Sequence, residues 1–155
     1  MRSATHLAVA LVVSLLSFPP QPGWAQTYAS TAERQLVDAA NRERSNRRLP
    51  TLKWDAALAN AARRHAAEMA SHGTISHQFP GEANLPSRAT KAGVRFTSLA
   101  ENVAMAPSGA AVHDLWMHSP PHRANLLDKD LDSVGVGVVS RNGELFAVED
   151  FSKAK

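Results

Sequence analysis

Apolar residues recur with the period of an α-helix most clearly in the segment after Asp55. The inward positions there alternate at spacings of four and three residues, at Leu58, Ala62, His65, Met69 and His72. Asp55 is of a residue type that caps helix N-termini, and Gly73 favours the left-handed conformation that ends a helix. The pattern therefore predicts a helix over about residues 56–71.

Two other segments show a narrower apolar stripe with the same period. Ser30 and Glu33 have the spacing of a capping box, which predicts a helix from there to about Asn46. A further helix is predicted from about residue 108 to residue 118, because the proline pair that follows cannot continue the helical hydrogen-bond ladder. His122 is expected to begin a new turn after this pair.

From Val134 onward the period changes to that of a strand, since valines alternate with small residues. Asn142-Gly143 is typical of a two-residue type I′ turn, and Leu145 to Phe151 resumes the apolar pattern. The chain is therefore predicted to end in a β-hairpin. Residues 74–86 are rich in Gly, Pro and polar side chains and are predicted to form a loop, with a short helix over residues 87–92 after it.

The amino-terminal segment has the pattern of a secretory signal peptide. Arg2 precedes an apolar run over residues 7–16, and Gly23-Trp24-Ala25 has the small-x-small pattern of a cleavage site. The run is too short for a membrane-spanning helix, which needs ~20 residues. We therefore expect a signal peptide over residues 1–25 and a single domain over residues 26–155, exported to the periplasm or beyond, with no transmembrane segment.

The composition argues against two classes of protein, disulfide-stabilised domains and nucleic-acid-binding proteins. The 155-residue chain has no cysteine and a formal net charge of +3, so we expect packing rather than disulfides to hold the domain together. Its basic cluster is interrupted by Glu43 and lacks interleaved aromatic residues; the cluster consists of Arg42, Arg44, Arg47 and Arg48. We interpret it as a solvated face and expect no nucleic-acid partner. The sequence does not indicate an oligomeric state.

Two imidazoles and a carboxylate on separate segments are candidates for one site. His77 lies in the predicted loop, Glu101 precedes the helix over residues 108–118, and His122 follows it. Two histidines beside a carboxylate can bind zinc and leave positions open for water. The alternative is that Glu101 orients backbone groups while both histidines hydrogen-bond to the cleft wall, which the low ligand count favours. If a metal-bound water is present, Glu101 is the candidate base.

Other candidate residues are less indicative of a catalytic or metal site. Ser119 and His122 have the residue types of a nucleophile and a base, but no acidic third member and no Gly-x-Ser-x-Gly motif accompany them. His65 and His72 lie seven residues apart on one helix face; without a carboxylate partner we interpret them as packing at the helix surface, with a second metal site as the alternative. Four more residues are interpreted as core or as partners of buried backbone groups: Trp54, Trp116, Asn41 and Asn125.

Six short motifs, each occurring once, are spread over nearly the whole of residues 26–155. They are Leu36-Val-Asp-Ala-Ala-Asn41-Arg-Glu-Arg, Leu52-Lys-Trp54-Asp55 with Leu58 and Ala62, Ser76-His77, Ala100-Glu101-Asn102-Val103, Trp116-x-x-Ser119-Pro-x-His122-Arg123-x-Asn125-Leu-Leu, and Val134-Gly-Val-Gly137. Their order and spacing resemble the CAP superfamily of cysteine-rich secretory proteins, antigen 5 and pathogenesis-related proteins, in its bacterial sperm-coating-protein-like branch. No single motif is specific, but the set is.

The resemblance implies an α+β fold, an α-β-α sandwich in which a small antiparallel sheet lies between helical layers around a central cleft. In the family this cleft holds two histidines and two acidic residues, and the resemblance places three of them at His77, Glu101 and His122. The chain departs from the family twice. Ser119 stands where many eukaryotic members have glutamate, and Glu149 stands where an uncharged glutamine is common.

The resemblance favours a binding protein over an enzyme, because sterol and lipid binding is reported across the wider family. We expect a cleft of His77, Glu101, Ser119 and His122 that binds a lipid, sterol or cell-wall fragment, with Zn²⁺ as a cofactor candidate on His77 and His122. The alternative is a metal-dependent hydrolase, a peptidase or cell-wall hydrolase, that uses Glu101 as base. A third class is an effector that acts through its surface.

Overall fold

The first helix begins at the capping box that the sequence predicts. In the computed structural model, which describes residues 30–155, α1 spans Thr31–Asn46. Ser30 Oγ accepts a hydrogen bond from the Glu33 N–H at 3.2 Å, and the Ser30 N–H donates to the Glu33 carboxylate at 2.7 Å. These two bonds satisfy orphan donors at the helix start. The predicted signal peptide, residues 1–25, lies outside the described residues.

The second helix confirms the clearest sequence pattern. After the two-residue strand β1, Lys53–Trp54, helix α2 spans Ala56–His72. Asp55 Oδ1 accepts from the N–H groups of Ala57 and Leu58 at 2.7 and 3.0 Å, and Gly73 ends the helix with φ at +67°. Local capping chemistry therefore determines both ends of α2.

The rest of the chain adds three helices and three strands. They are α3 Leu85–Lys91, β2 Phe96–Ala106, α4 Gly109–His118, α5 Pro120–Leu127, β3 Ser133–Arg141 and β4 Glu144–Ala154. α3 starts two residues before its predicted position, because Asn84 caps it by accepting from the Ser87 N–H at 3.0 Å. β2 is a strand that the sequence pattern did not predict. Across residues 30–155, no helix has both the length and the apolar character to cross a membrane.

The four strands form one sheet in the order β1-β3-β4-β2. β3 and β4 are joined by the predicted hairpin, whose turn residues Asn142 and Gly143 have φ of +53° and +83°, as a type I′ turn requires. The sheet is antiparallel except at β1, which pairs in parallel with β3 and so departs from the expected purely antiparallel sheet. β2 lies at one edge.

The sheet lies between two helical layers, which confirms the predicted α-β-α sandwich. On one face, Trp116 of α4 is fully buried among Leu36, Val136 and Phe151, in a core shared by α1, α4, α5 and the sheet. On the other face, α2 packs directly against β3, because Gly135 and Gly137 have no side chain to hold it away. The site described below spans the edge strand that both layers reach.

One arginine of the predicted solvated cluster does not lie on the surface. Arg44 is fully buried, and its guanidinium donates to the backbone carbonyls of Pro50, Leu126, Asp128 and Leu131. The interpretation of the cluster as a solvated face is wrong for this residue. Asn41 bonds both backbone groups of Leu52, which confirms its predicted role.

Candidate functional site

Glu101 and Asn102 are neighbours on β2, so their side chains point to opposite faces of the sheet. Glu101 faces the layer of α2 and α3, and Asn102 faces α5. Both residues are buried. Because β2 is an edge strand, side chains from the two helical layers meet around this pair.

The Glu101 carboxylate connects the loop after α2 to α3. It accepts a hydrogen bond from Nδ1 of His77 at 2.8 Å, and its other oxygen forms an ion pair with Arg88. Burial alone would raise the pKa of Glu101, but the hydrogen bond from His77 and the charge of Arg88 outweigh it and lower this pKa. Glu101 is therefore an ionised carboxylate at neutral pH.

His77 is held by its ring and by its backbone. A carboxylate can only accept, so Nδ1 of His77 carries the proton that Glu101 receives. In the neutral ring, Nε2 then carries the lone pair. The same hydrogen bond raises the pKa of His77, while 61% of its side chain remains exposed. Arg88 also donates to the His77 carbonyl at 3.0 Å, which fixes the loop.

His122 lies in the first turn of α5. Pro120 and Pro121 occupy the first positions of α5, where a missing N–H costs nothing, so the proline pair ends α4 and also starts the next helix. Asn102 donates to the His122 carbonyl at 3.1 Å. Burial lowers the pKa of His122, and the nearby charge of His77 lowers it further.

Ser119 joins α4 to α5. Its backbone N–H bonds the end of α4, its carbonyl accepts from Arg123 at 2.9 Å, and its side chain makes no capping hydrogen bond. Asn125 donates to Asn102 at 2.9 Å and thereby holds α5 against the strand. The structure brings His77 and Glu101 into contact, and Ser119 is hydrogen-bonded through its backbone groups.

The sequence patterns did not single out Arg88 or Glu82, and they misjudged His65. Arg88 is buried and donates to His77, Ala83 and Glu101. His65 is fully buried and bonds Glu82 at 2.7 Å, so the interpretation of His65 as a surface residue without a carboxylate partner is wrong. The signal for His65 was its inward position on the apolar stripe of α2.

Two further carboxyl groups lie inside the sheet. Glu149 of β4 is opposite Asn102 and fully buried, and burial raises its pKa to about 8. Asp150 is opposite Glu101, and burial together with the negative charge of Glu101 raises its pKa well above the usual range. Glu149 is therefore largely protonated at neutral pH, and the raised pKa of Asp150 favours its protonated form in the same direction.

A groove of about 580 Å³ lies between α1 and α4, on the layer opposite His77. Its walls include Ala39, Arg42, Ala110, His113, Asp114 and Met117. Burial lowers the pKa of His113, whose Nδ1 is buried and has no hydrogen-bond partner among the described residues. Within residues 30–155 no three His, Asp or Glu side chains are arranged as a ready-made metal site.

Two relatives from Bacillus subtilis (strain 168) resemble this chain in sequence. The uncharacterized membrane protein YlbC is 33% identical over 110 residues, which are 70% of this chain and 32% of that protein. The uncharacterized protein YkwD is 28% identical over 116 residues, which are 74% of this chain and 45% of that protein. The chain therefore spans less than half the length of either relative.

Solved structures and a family model agree with the observed fold. An extracellular protein containing an SCP domain, from Bacillus anthracis str. Ames, aligns with a TM-score of 0.75 and 30% identity over 88% of this chain and 45% of that one. An outer surface protein of Borrelia burgdorferi aligns with a TM-score of 0.74, at 24% identity, over 80% of this chain and 93% of that one. The model described as "CAP: Cysteine-rich secretory protein family" matches residues 37–151. The chain therefore belongs to the cysteine-rich secretory protein (CAP) family, although it contains no cysteine.

Proposed function

We propose that this protein is an exported binding protein that takes an apolar small molecule, a lipid or sterol, in the groove between α1 and α4. The groove volume of about 580 Å³ is the observation that carries the proposal, since ligand sites typically enclose ~300–1,000 Å³. Ala39, Ala110 and Met117 supply apolar walls, and Arg42 and His113 supply polar groups for a ligand head. Extracellular relatives of the same fold support export.

The state of Glu101 favours binding over hydrolysis. A general base must accept a proton near the working pH, whereas the contacts of Glu101 with His77 and Arg88 lower its pKa and occupy both oxygens. A hydrolase that uses Glu101 as base would have to release one of these contacts first. Absence of turnover of peptide, ester and peptidoglycan substrates, with and without zinc, is therefore the expected result.

Filling the groove tests the binding site. Ala110→Trp places an indole in the groove, and Ala56→Trp places one on the exposed first residue of α2 as a matched control. We expect palmitate and cholesterol to bind the wild type and Ala56→Trp equally, and Ala110→Trp at least ~10-fold more weakly. Equal affinity of all three proteins, or no binding of either probe to the wild type, contradicts the proposal.

A second candidate function is divalent-metal binding by His77 and His122. Glu101 holds Nδ1 of His77, which is how carboxylates orient metal-binding histidines. The lowered pKa of His122 keeps its ring neutral, as a ligand must be. Zn²⁺ bound here would have two protein ligands and would polarise water at its open positions. Because the proposal uses two imidazoles from residues 30–155, we expect weaker binding than at a structural zinc site, which has four protein ligands.

Calorimetry with zinc chloride distinguishes the metal candidate from the groove ligand. We expect wild type and His72→Ala to bind zinc with the same affinity, because His72 lies at the exposed end of α2. His77→Ala and His122→Ala are expected to lose about tenfold or more in affinity. Equal affinities in all four proteins contradict the metal candidate and leave the groove proposal unaffected.

A further inference from the structure

The imidazole of His65 makes two hydrogen bonds inside the protein. His65 lies on α2 and is fully buried. Its Nδ1 is 2.7 Å from a carboxylate oxygen of Glu82, and its Nε2 is 2.8 Å from the carbonyl oxygen of Ser76. Both partners belong to the loop between α2 and α3 that carries His77. His65 therefore contacts this loop on both sides of His77, at Ser76 before it and at Glu82 after it.

The two hydrogen bonds of His65 require one more proton than a neutral imidazole and an ionised carboxylate provide. A carbonyl oxygen only accepts, so Nε2 of His65 must carry a proton. A neutral ring then has a lone pair on Nδ1, facing the oxygen of Glu82 at 2.7 Å. Two acceptors at that distance repel each other. A second proton, on Nδ1 or on Glu82, must occupy the bond.

The surroundings of Glu82 place that proton on His65. The other oxygen of Glu82 accepts from the Phe79 N–H at 3.0 Å, and Arg88 lies 3.8 Å from the first oxygen. Both contacts stabilise a carboxylate over a carboxylic acid. Glu101 adds a second negative charge, with one oxygen 3.9 Å from Nε2 of His65. His65 therefore faces two carboxylates and shares them with Arg88.

We propose that His65 is a buried imidazolium and acts as the positioning residue for the loop that carries His77. In this arrangement two cations, His65 and Arg88, balance two anions, Glu82 and Glu101, within the buried layer between α2 and β2. His65 then donates both ring protons to the loop, at Ser76 and at Glu82. The inference does not depend on which ligand the protein binds.

Imidazole ¹⁵N NMR of the full chain at neutral pH tests the charge of His65 directly. We expect both ring nitrogens of His65 to carry protons in the wild type. Glu82→Gln removes the charge but keeps the shape, and we expect a neutral ring with a single N–H in that variant. Glu68→Gln is the matched control, because Glu68 pairs with His72 at 3.2 Å on the surface and leaves His65 untouched.

Amide hydrogen exchange tests the positioning role. In Glu82→Gln we expect exchange in residues 76–82 to accelerate about tenfold or more, because a hydrogen bond to a charged group is lost. Glu68→Gln should exchange like the wild type. If Glu82→Gln does not fold, Glu82→Asp replaces it, with both ring protons retained and a smaller acceleration. A single N–H on wild-type His65, or unchanged exchange in a variant that has lost the contact, overturns the proposal.

Discussion

Glu101 binds His77 through one carboxylate oxygen, at 2.8 Å from Nδ1, and binds Arg88 through the other. An edge strand, a loop and α3 are thereby connected by a single side chain. Because the hydrogen bond raises the pKa of His77, the pair stabilises the fold most fully at pH values below the ordinary imidazole pKa. That stabilisation is lost as the pH rises through the raised pKa of His77.

Removing the charge of Glu101 is expected to lower the pKa of His77. In Glu101→Gln the ring loses its charged hydrogen-bond partner, and burial and the charge of Arg88 then act on it without compensation. The measurement is an NMR titration of the His77 ring proton in both proteins. Glu68→Gln, which alters only the exposed pair with His72, serves as the control. An unchanged pKa of His77 in Glu101→Gln would show that the contact is not formed in solution.

Glu149→Gln is expected to stabilise the protein progressively as the pH rises. The pKa of Glu149 in the folded protein is raised by burial to about 8, so the unfolded chain releases this proton at lower pH than the folded chain does. Wild-type stability therefore falls between the ordinary pKa of glutamate and about pH 8. The variant has no such group, and the difference grows by up to ~1.4 kcal/mol per pH unit within that window.

Urea unfolding at several pH values measures this difference. The wild type and Glu149→Gln should have similar unfolding free energies near the ordinary glutamate pKa, and the variant should be the more stable one at pH 8. Glu144→Gln, at the hairpin turn, controls for the loss of one negative charge. Parallel curves for the wild type and Glu149→Gln would mean that water or a rearranged Asn102 solvates the carboxylate.

Elements with local signals were predictable from the sequence, and β2 was not. The ends of α2 depend on Asp55 and Gly73, which act on their own backbone neighbours. β2 has four consecutive buried residues, Glu101 to Ala104, because helices cover both faces of the strand. A strand buried on both faces shows no alternation of polar and apolar residues. The sequence of β2 therefore lacks the two-residue period that identifies a half-buried strand.

The candidate site was predictable only in part, for the same reason. Family motifs placed His77, Glu101 and His122 in one cleft, and the structure brings the first two into contact. Arg88 and Glu82 belong to no local pattern, since Glu101 and His65, with which they pair, lie 13 and 17 residues away along the chain and meet them only after folding. Long-range ion pairs of this kind leave no spacing in the sequence.

The direct packing of α2 on β3 predicts that Gly135→Ala and Gly137→Ala are strongly destabilising. A Cβ at Gly135 would overlap the backbone of Leu58 and Ala59, and one at Gly137 would overlap Ala62 and Arg63. Helix backbone cannot move aside locally, so we expect a loss of about 3 kcal/mol or more for each. Thermal unfolding checks this result.

Gly109→Ala is the matched control for both glycine variants. Gly109 is the first residue of α4, and a Cβ there would meet its nearest atom, Oε1 of Gln35, at an ordinary 3.6 Å. We expect the free energy of unfolding of this variant to be within about 0.5 kcal/mol of the wild-type value or slightly above it. The reason is that alanine favours helices more than glycine does. A similar loss in all three variants would argue against direct contact between α2 and β3.

Arg44→Met is expected to destabilise the protein far more than Arg47→Met, although both residues lie near the end of α1. The guanidinium of Arg44 is fully buried and donates to four backbone carbonyls at 2.7 to 3.1 Å. Those carbonyls belong to the segment after α1, to the last turn of α5 and to the segment that follows α5, so one side chain joins all three. Methionine fills similar space without donating, and we expect a loss of at least ~3 kcal/mol from the unsatisfied acceptors.

The Arg47 guanidinium forms an exposed ion pair with Glu43, four residues before it, and donates to the Glu43 carbonyl at 2.9 Å. Its removal should cost less than about 1 kcal/mol, as exposed pairs do. Urea unfolding of Arg44→Met, Arg47→Met and the wild type at one pH compares the two losses directly. Equal losses would mean that the carbonyls around Arg44 find other donors, and that burial of this arginine stabilises the α5 end of the domain by packing alone.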